Sequence, residues 1–198
     1  MENSPLDSRV RVKDIQLLLR SLGQLPEPVK KPVFIALTGL PGTGKSYLSR
    51  ILASKLQLVI LESDAFRKIL FSHPVYSWRE NERLFLAIYV LIEELLKKGV
   101  SLVLDATNLS ERNRKKLYHI AENTKAKFIL IKLEAPSEVV RERLKNRMKD
   151  SVNLSEADWE VHQSMKLKVE GIRHKHYVVN TAEDINPIID TIMKEAKN

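Results

Sequence analysis

The sequence predicts an α/β fold, a parallel sheet with helices packed on both of its faces. Three observations carry that expectation. Short apolar runs alternate along the chain with longer segments of helical periodicity, the pattern of strands buried on both sides. One of those runs leads straight into a glycine-rich turn and a helix start, GLPGTGKSYLSR over residues 39–50. And 198 residues, 43% apolar and 29% charged, suffice for one sizeable core and not comfortably for two.

The first 31 residues stand apart. Ile15, Leu18, Leu19 and Leu22 recur at helical spacing, Gly23 stops that helix, and Pro26, Pro28 and Pro32 stiffen the connector. An extra helix docked on the core is expected over 1–31, with the α/β domain over 32–198. VFIALT (33–38) reads as a buried strand and 44–56 as a helix through Leu48, Ile51, Leu52 and Leu56. LVIL (58–61) is the second strand, followed by a short helix over 64–72. Ser77 and Glu80 form a capping-box pattern opening a long helix to about Lys98, which Gly99 ends. SLVLD (101–105) is the third strand, Glu111 to about Asn123 a basic helix, and KFILIKL (127–133) the fourth strand. Ser137 is expected to cap a helix to about Met148. Ser155 with Asp158 is expected to open another, to about Gly171. HYVVN (176–180) is the last strand, and a closing helix begins near Glu183.

Several function classes are excluded. The chain has no cysteine, which removes disulfides, zinc–thiolate sites and cysteine nucleophiles. There is no apolar run near twenty residues, and the polar start MENSPLDSRVRVKD is no secretory signal. A cytoplasmic protein without a membrane partner is the simplest reading. The net charge of +8 owes much to residues 112–149, including Arg112, Arg114, Lys115, Lys116, Arg141, Lys145 and Lys149. That balance suits an anionic partner such as a nucleotide, a phosphorylated metabolite or nucleic acid, and equally suits a solvated basic face.

Gly39, Leu40, Pro41, Gly42, Thr43, Gly44, Lys45 and Ser46 fit G-x-x-x-x-G-K-[ST], and with Tyr47 make the expected ATP-binding stretch. Glycines let backbone amides turn inward around a phosphate. Lys45 can reach the β- and γ-phosphates, the Ser46 hydroxyl can ligate Mg²⁺, and the following helix aims its positive end at the same anion. ATP and Mg²⁺ are the expected cosubstrate and cofactor. Asp64 falls after the second strand, where ligands collect in an open α/β sheet. It can take a proton from an attacking hydroxyl, or cap the helix that follows. Arg67, one turn on, can hold an anionic group of an acceptor. Asp105 ends the third strand, where an acid can bind Mg²⁺ directly or through water, with Thr107 and Asn108 placed to position substrate or nucleotide. A polar strand-to-helix turn is the other reading. Arg143 and Arg147, four apart, put two guanidinium groups on one helix face, as a lid over a transferring phosphoryl would need. Alternatively Arg141 and Arg143 pair with Glu138 and Glu142 on a solvated helix. The five histidines form no metal-spaced cluster and read as structural, and Trp78 and Trp159 as packed.

In order, GLPGTGKS, SDAFR, LVLDATNLSERNR and the RERLKNR segment resemble the small P-loop kinases. The AAA_33 group, related to the phage polynucleotide 5′-kinase domain, fits best, with seryl-tRNA kinase, antibiotic phosphotransferases and zeta-toxin-like kinases as cousins. The resemblance covers roughly residues 33–180. It implies a P-loop NTPase three-layer sandwich, its five-stranded parallel sheet in the order 2-3-1-4-5, with a helical lid. It further implies Asp64 as general base and Arg67 as substrate-phosphate ligand. Lys45, Arg143 and Arg147 would be the catalytic cations, and Asp105, Thr107 and Asn108 the D-x-T-N of the group. Seryl-tRNA kinase carries a long C-terminal RNA-binding extension, whereas this chain stops soon after its last strand, which lowers the expectation of a tRNA acceptor. An ATP-dependent kinase acting on a hydroxyl of a nucleic acid 5′ end or a small metabolite is the leading expectation. A P-loop ATPase or nucleotide-binding module without transfer is the alternative. A GTPase is not expected, because no N-K-x-D occurs.

Overall fold

The computed structural model describes residues 5–147 and 157–197, with side chains from Val12 onward. Five strands form one sheet, β1 (Val33–Thr38), β2 (Val59–Glu62), β3 (Leu102–Asp105), β4 (Lys127–Glu134) and β5 (Tyr177–Asn180). They run parallel in the order β2-β3-β1-β4-β5, the order the resemblance implies. Eight helices accompany them among the described residues. These are α1 (Pro5–Ser21), α2 (Lys45–Leu56), α3 (Ser63–Leu70), α4 (Trp78–Lys97), α5 (Glu111–Thr124), α6 (Ser137–Arg147), α7 (Trp159–Lys166) and α8 (Asn186–Lys197).

Strand β1 is buried at every position, and its side chains sort by the period of two. Phe34 and Ala36 enter one core with Leu102, Leu104, Leu61 and helices α1, α3, α4 and α5. Val33, Ile35 and Leu37 enter the other, with Leu48 and Leu52 of α2 and Ile189 and Ile192 of α8. Continuous apolar strands are therefore required here, because neither face of the sheet meets water.

Helix α1 packs on α3 and α4, and fully buried Leu18 belongs to the first core. Buried Asp14 anchors it through a two-pronged pair with Arg83 of α4, at 2.8 Å from Nε and 2.7 Å from Nη2. Such fork-to-carboxylate geometry fixes angle as well as distance.

Local chemistry sets most helix starts. The Ser77 hydroxyl accepts from the Glu80 amide and Ser110 from Asn113, while Asp158 accepts from Val161. Four expectations need correction. The Glu80 carboxylate reaches back to the Val75 amide rather than that of Ser77, so the capping box is closed two residues early. Ser137 is the first residue of α6 rather than its cap. Helix α7 is capped by Asp158 and ends at Lys166, well before Gly171, while Ser155 and Met148 lie outside the described residues. Trp78 does not pack but stands 72% exposed at the start of α4. No described helix is long and apolar enough to cross a membrane.

Candidate active site

A parallel sheet brings the carboxyl ends of its strands to one edge, and the polar turns leaving β1, β2 and β3 meet there. Glu62 pairs in register with Asp105, so the acids ending β2 and β3 stand at the same level. Beside them opens a cleft of about 1040 Å³. The phosphate loop and α6 line one end. Arg67, Tyr76, Asn81 and Phe85 line the other, with Val161, Met165 and Lys168 along α7 and its exit.

The loop can only be built with glycine. Gly39, Gly42 and Gly44 have φ of 152°, 83° and 91°, which side chains rarely adopt. A Cβ on Gly39 would stand 2.7 Å from the Leu133 carbonyl oxygen, and one on Gly42 2.8 Å from Val140 of α6. The Lys45 ammonium donates to the carbonyls of Gly39 and Leu40, both at 3.0 Å. Burial lowers its pKa, against the upward pull of Asp105 and Asp64 and with a further push down from Arg147. Leu40, Pro41, Thr43 and Ser46 complete the loop around it, and Tyr47, 61% exposed, lines the same cleft.

Asp105 is buried, and one of its carboxylate oxygens has no hydrogen-bond partner. Burial raises its pKa, opposed by the Lys45 charge and by a hydrogen bond from Ser46. Glu62 is also raised, first by burial and then by repulsion from Asp105 and Asp64. A buried carboxylate with a vacant oxygen, beside a serine hydroxyl at a helix start that lines the same cleft, is an oxygen donor set that suits Mg²⁺. The glycine cradle, the folded-back Lys45 and the start of α2 suit a nucleotide phosphate. On donor chemistry, the residues present fit Mg²⁺ and ATP.

Asp64 sits in the first turn of α3 and lines the cleft. Neither it nor Ser63 caps that helix. Glu62 holds the cap position, without a side-chain bond, so the Asp64 carboxylate is not spent on capping. Arg67 is 5% exposed, donates through Nη2 to Asn81 at 2.6 Å and lies 4.7 Å over the Tyr76 ring. Its Nε and Nη1 find no hydrogen-bond partner, although Nη1 is 3.7 Å from a Glu80 oxygen.

Helix α6 brings Arg143 and Arg147 to the same cleft, in two different states. Arg143 donates to the Thr181 hydroxyl at 2.7 Å and to its carbonyl at 2.8 Å. Arg147 has a buried Nη1 with no hydrogen-bond partner. The expected pairing of Arg141 and Arg143 with Glu138 and Glu142 is not formed, since Arg141 instead stands 5.8 Å over Trp159.

Asn108 departs from its expected place. It is 2% exposed at φ 45°, its amide donates to the Leu37 carbonyl at 2.7 Å, and it does not line the cleft. Thr107 lines the cleft, and its carbonyl accepts from the Gly39 amide and the Thr38 hydroxyl, tying the β3 turn to the loop. Asn108 therefore sets the turn that follows Asp105, with its side-chain oxygen buried and without a hydrogen-bond partner among the described residues. Arg114, expected on a basic face, is 1% exposed. It donates to the carbonyls of Asn108, Leu109, Glu170 and Gly171 and to the Glu111 carboxylate.

Sequence reasoning did not find Glu62, Thr181, Asn81 or His162. A strand-terminal glutamate next to Asp64 could have been found. A lone threonine after β5, or a histidine inside α7, carries no local signal.

The family model described as AAA domain, AAA_33, matches residues 34–172. The L-seryl-tRNA(Sec) kinase of Methanococcus maripaludis is 32% identical over 118 residues, covering 56% of this chain and 44% of the relative. The chain thus spans less than half the length of that curated relative. Among solved structures, a gluconokinase from Sinorhizobium meliloti aligns at a TM-score of 0.60 and 20% identity, covering 85% of this chain and 94% of the other. The Mycobacterium tuberculosis APS kinase CysC, solved with AMPPNP and APS, aligns at 0.63 and 15% identity, covering 87% of this chain and 100% of that one. These two show the fold. The family match spans most of the chain, and the chain belongs to the AAA_33 family, on a P-loop kinase fold.

Proposed function

We propose that the chain is an ATP-dependent kinase that moves the γ-phosphate of ATP to a hydroxyl group. The observation that carries this reading is Asp64. Its carboxylate lines the cleft, is not spent on capping α3, and stands close enough to Lys45 to act on its charge. A switch or motor has no need of an acid there, whereas a hydroxyl that attacks phosphorus must lose its proton.

In this reading the loop amides and Lys45 hold the β- and γ-phosphates, and Ser46 and Asp105 hold Mg²⁺. The metal supplies charge neutralisation of the phosphate oxygens. The acceptor oxygen forms a bond to the γ-phosphorus as the bond to the β–γ bridging oxygen breaks. Asp64 takes the acceptor proton, and ADP leaves. Arg147, whose buried Nη1 has no hydrogen-bond partner among the described residues, and Arg143 neutralise charge on the phosphoryl in flight. Arg67 orients the acceptor from the far end of the cleft. Most of the rate is asked of alignment and fixed charge, as expected where the protein performs little covalent chemistry.

The acceptor is the 5′-hydroxyl of a nucleic acid or a hydroxyl of a small metabolite. The name of the curated relative adds a tRNA-borne acceptor to those worth testing. Incubation with γ-labelled ATP and Mg²⁺ tests all three, using a 5′-hydroxyl oligonucleotide, seryl-tRNA and a metabolite panel. Label on an acceptor, lost in Asp64→Asn, is the expected result. ATP hydrolysis without label on any acceptor would favour a non-transferring ATPase.

A further inference from the structure

We infer that His162 is a positioning residue of the phosphate loop, acting by holding the Pro41 carbonyl outward so that the Gly42 amide faces the phosphate. This rests on the proposal that the loop binds a nucleotide.

His162 lies on α7, 121 residues from Pro41, and is 5% exposed. Its Nδ1 is 2.8 Å from the Pro41 carbonyl oxygen. A carbonyl only accepts, so Nδ1 carries the hydrogen and donates it. The ring is further fixed by stacking on Trp159, with centroids 5.1 Å apart and planes within 6°.

The consequence lies in the peptide plane. In a trans peptide the carbonyl of one residue and the amide of the next point in opposite directions. No peptide in the described chain is cis. Pulling the Pro41 oxygen toward α7 therefore turns the Gly42 N–H away from α7. That amide makes no hydrogen bond within the described residues, and Gly42 lines the cleft.

The same device recurs two residues on. The Thr181 hydroxyl donates to the Thr43 carbonyl at 2.9 Å, which turns the Gly44 N–H the opposite way, and Arg143 holds Thr181 in turn. Gly44 also lines the cleft. The alternate carbonyls at 41 and 43 are thus each held by a side chain from the C-terminal part of the chain. Glycine at 42 and 44 gives the loop its shape but, being the most permissive residue, cannot by itself choose one orientation. His162 and Thr181 remove that freedom before a phosphate arrives.

The full-length wild type, His162→Ala and His162→Gln are to be titrated calorimetrically with ADP and with AMP, which lacks the β-phosphate. Removing the donor should weaken ADP about tenfold, the scale of one hydrogen bond to a charged site, and leave AMP within about twofold. Glutamine retains an N–H donor and should recover part of the loss, which a role in packing alone would not produce. Thr181→Val should show the same ADP-selective loss, and serves as the readout should His162→Ala not fold. Equal ADP affinity in wild type and His162→Ala would overturn the inference, as would equal weakening of ADP and AMP. A wild type that binds no ADP would overturn this inference and the kinase reading together. Normal ADP binding with no acceptor labelled would leave this inference standing and remove only the transfer reading.

Discussion

The two ends of the cleft are built differently. At the phosphate loop the side chains of Lys45 and Thr43 have partners within the loop, and the Gly42 amide is left open among the described residues. Lys45 rests on the Gly39 and Leu40 carbonyls, and the Thr43 hydroxyl on that of Leu40. At the acceptor end Nε and Nη1 of Arg67 are left over, and where α6 and β3 open on the cleft so are Nη1 of Arg147 and one oxygen of Asp105. Unpaired buried polar atoms are costly and rare in folded proteins, so a cluster of them marks where a ligand completes the network. The loop end is ready before any ligand arrives, and the acceptor end is waiting for one.

The sharpest way to separate the two ends is Asp64→Asn. Phosphoryl transfer should fall by about 10²–10⁴-fold while ADP affinity, measured by calorimetry, is unchanged. Turnover that survives would take the base role away from Asp64 and leave the acceptor end without its chemistry. Next in size is Arg147→Ala, expected to lower kcat by about 10²-fold with little change in stability, because its buried Nη1 has no hydrogen bond to lose among the described residues. Arg143→Ala should differ in kind. It releases Thr181 from the loop, so steady-state kinetics should show KM for ATP rising together with the fall in kcat. If the two arginine variants behaved alike, the distinction between the arginine that braces the loop and the one with an unpaired nitrogen would fail.

Arg114→Met tests the frame common to both ends. It orphans the carbonyls of Glu170 and Gly171 together with the Glu111 carboxylate, takes a second donor from those of Asn108 and Leu109, and should cost about 3–5 kcal/mol in urea unfolding. The smallest effect, and the one opposite in sign, belongs to Asp105→Asn. The Asp105 pKa is raised in the folded state, so folding favours the neutral acid. That contribution is complete below the ordinary carboxylate range near ~4 and is lost as pH rises through the raised value. As the pH rises past that range the stabilisation by the neutral acid is lost, and the amide, which does not ionise, should hold the higher urea midpoint. The gain should vanish in acid. A variant destabilised at pH 7 would show that the Ser46 bond and the Lys45 charge outweigh burial.

Much of this was legible along the chain. The order of strands and helices follows from apolar runs and caps, because burial on both faces of a parallel sheet leaves a local trace in each strand. The phosphate loop was legible for the same reason: its glycines, lysine and serine act within eight residues of one another. Asp64, Arg67, Arg143 and Arg147 could be named, and the fold does bring all four to one cleft. What the sequence could not assign was the state of each. Asn108 and Arg114 look like surface polar residues until the fold closes over them, since an Asn or Arg whose partners are carbonyls leaves no mark on the residues around it. His162 and Thr181 meet the loop across 121 and 138 residues, through backbone oxygens that every residue possesses. Side-chain pattern determined the sheet, the loop and the candidates. Which amides face the phosphate, and which arginines remain free for a substrate, was decided only when distant backbone came within hydrogen-bond reach.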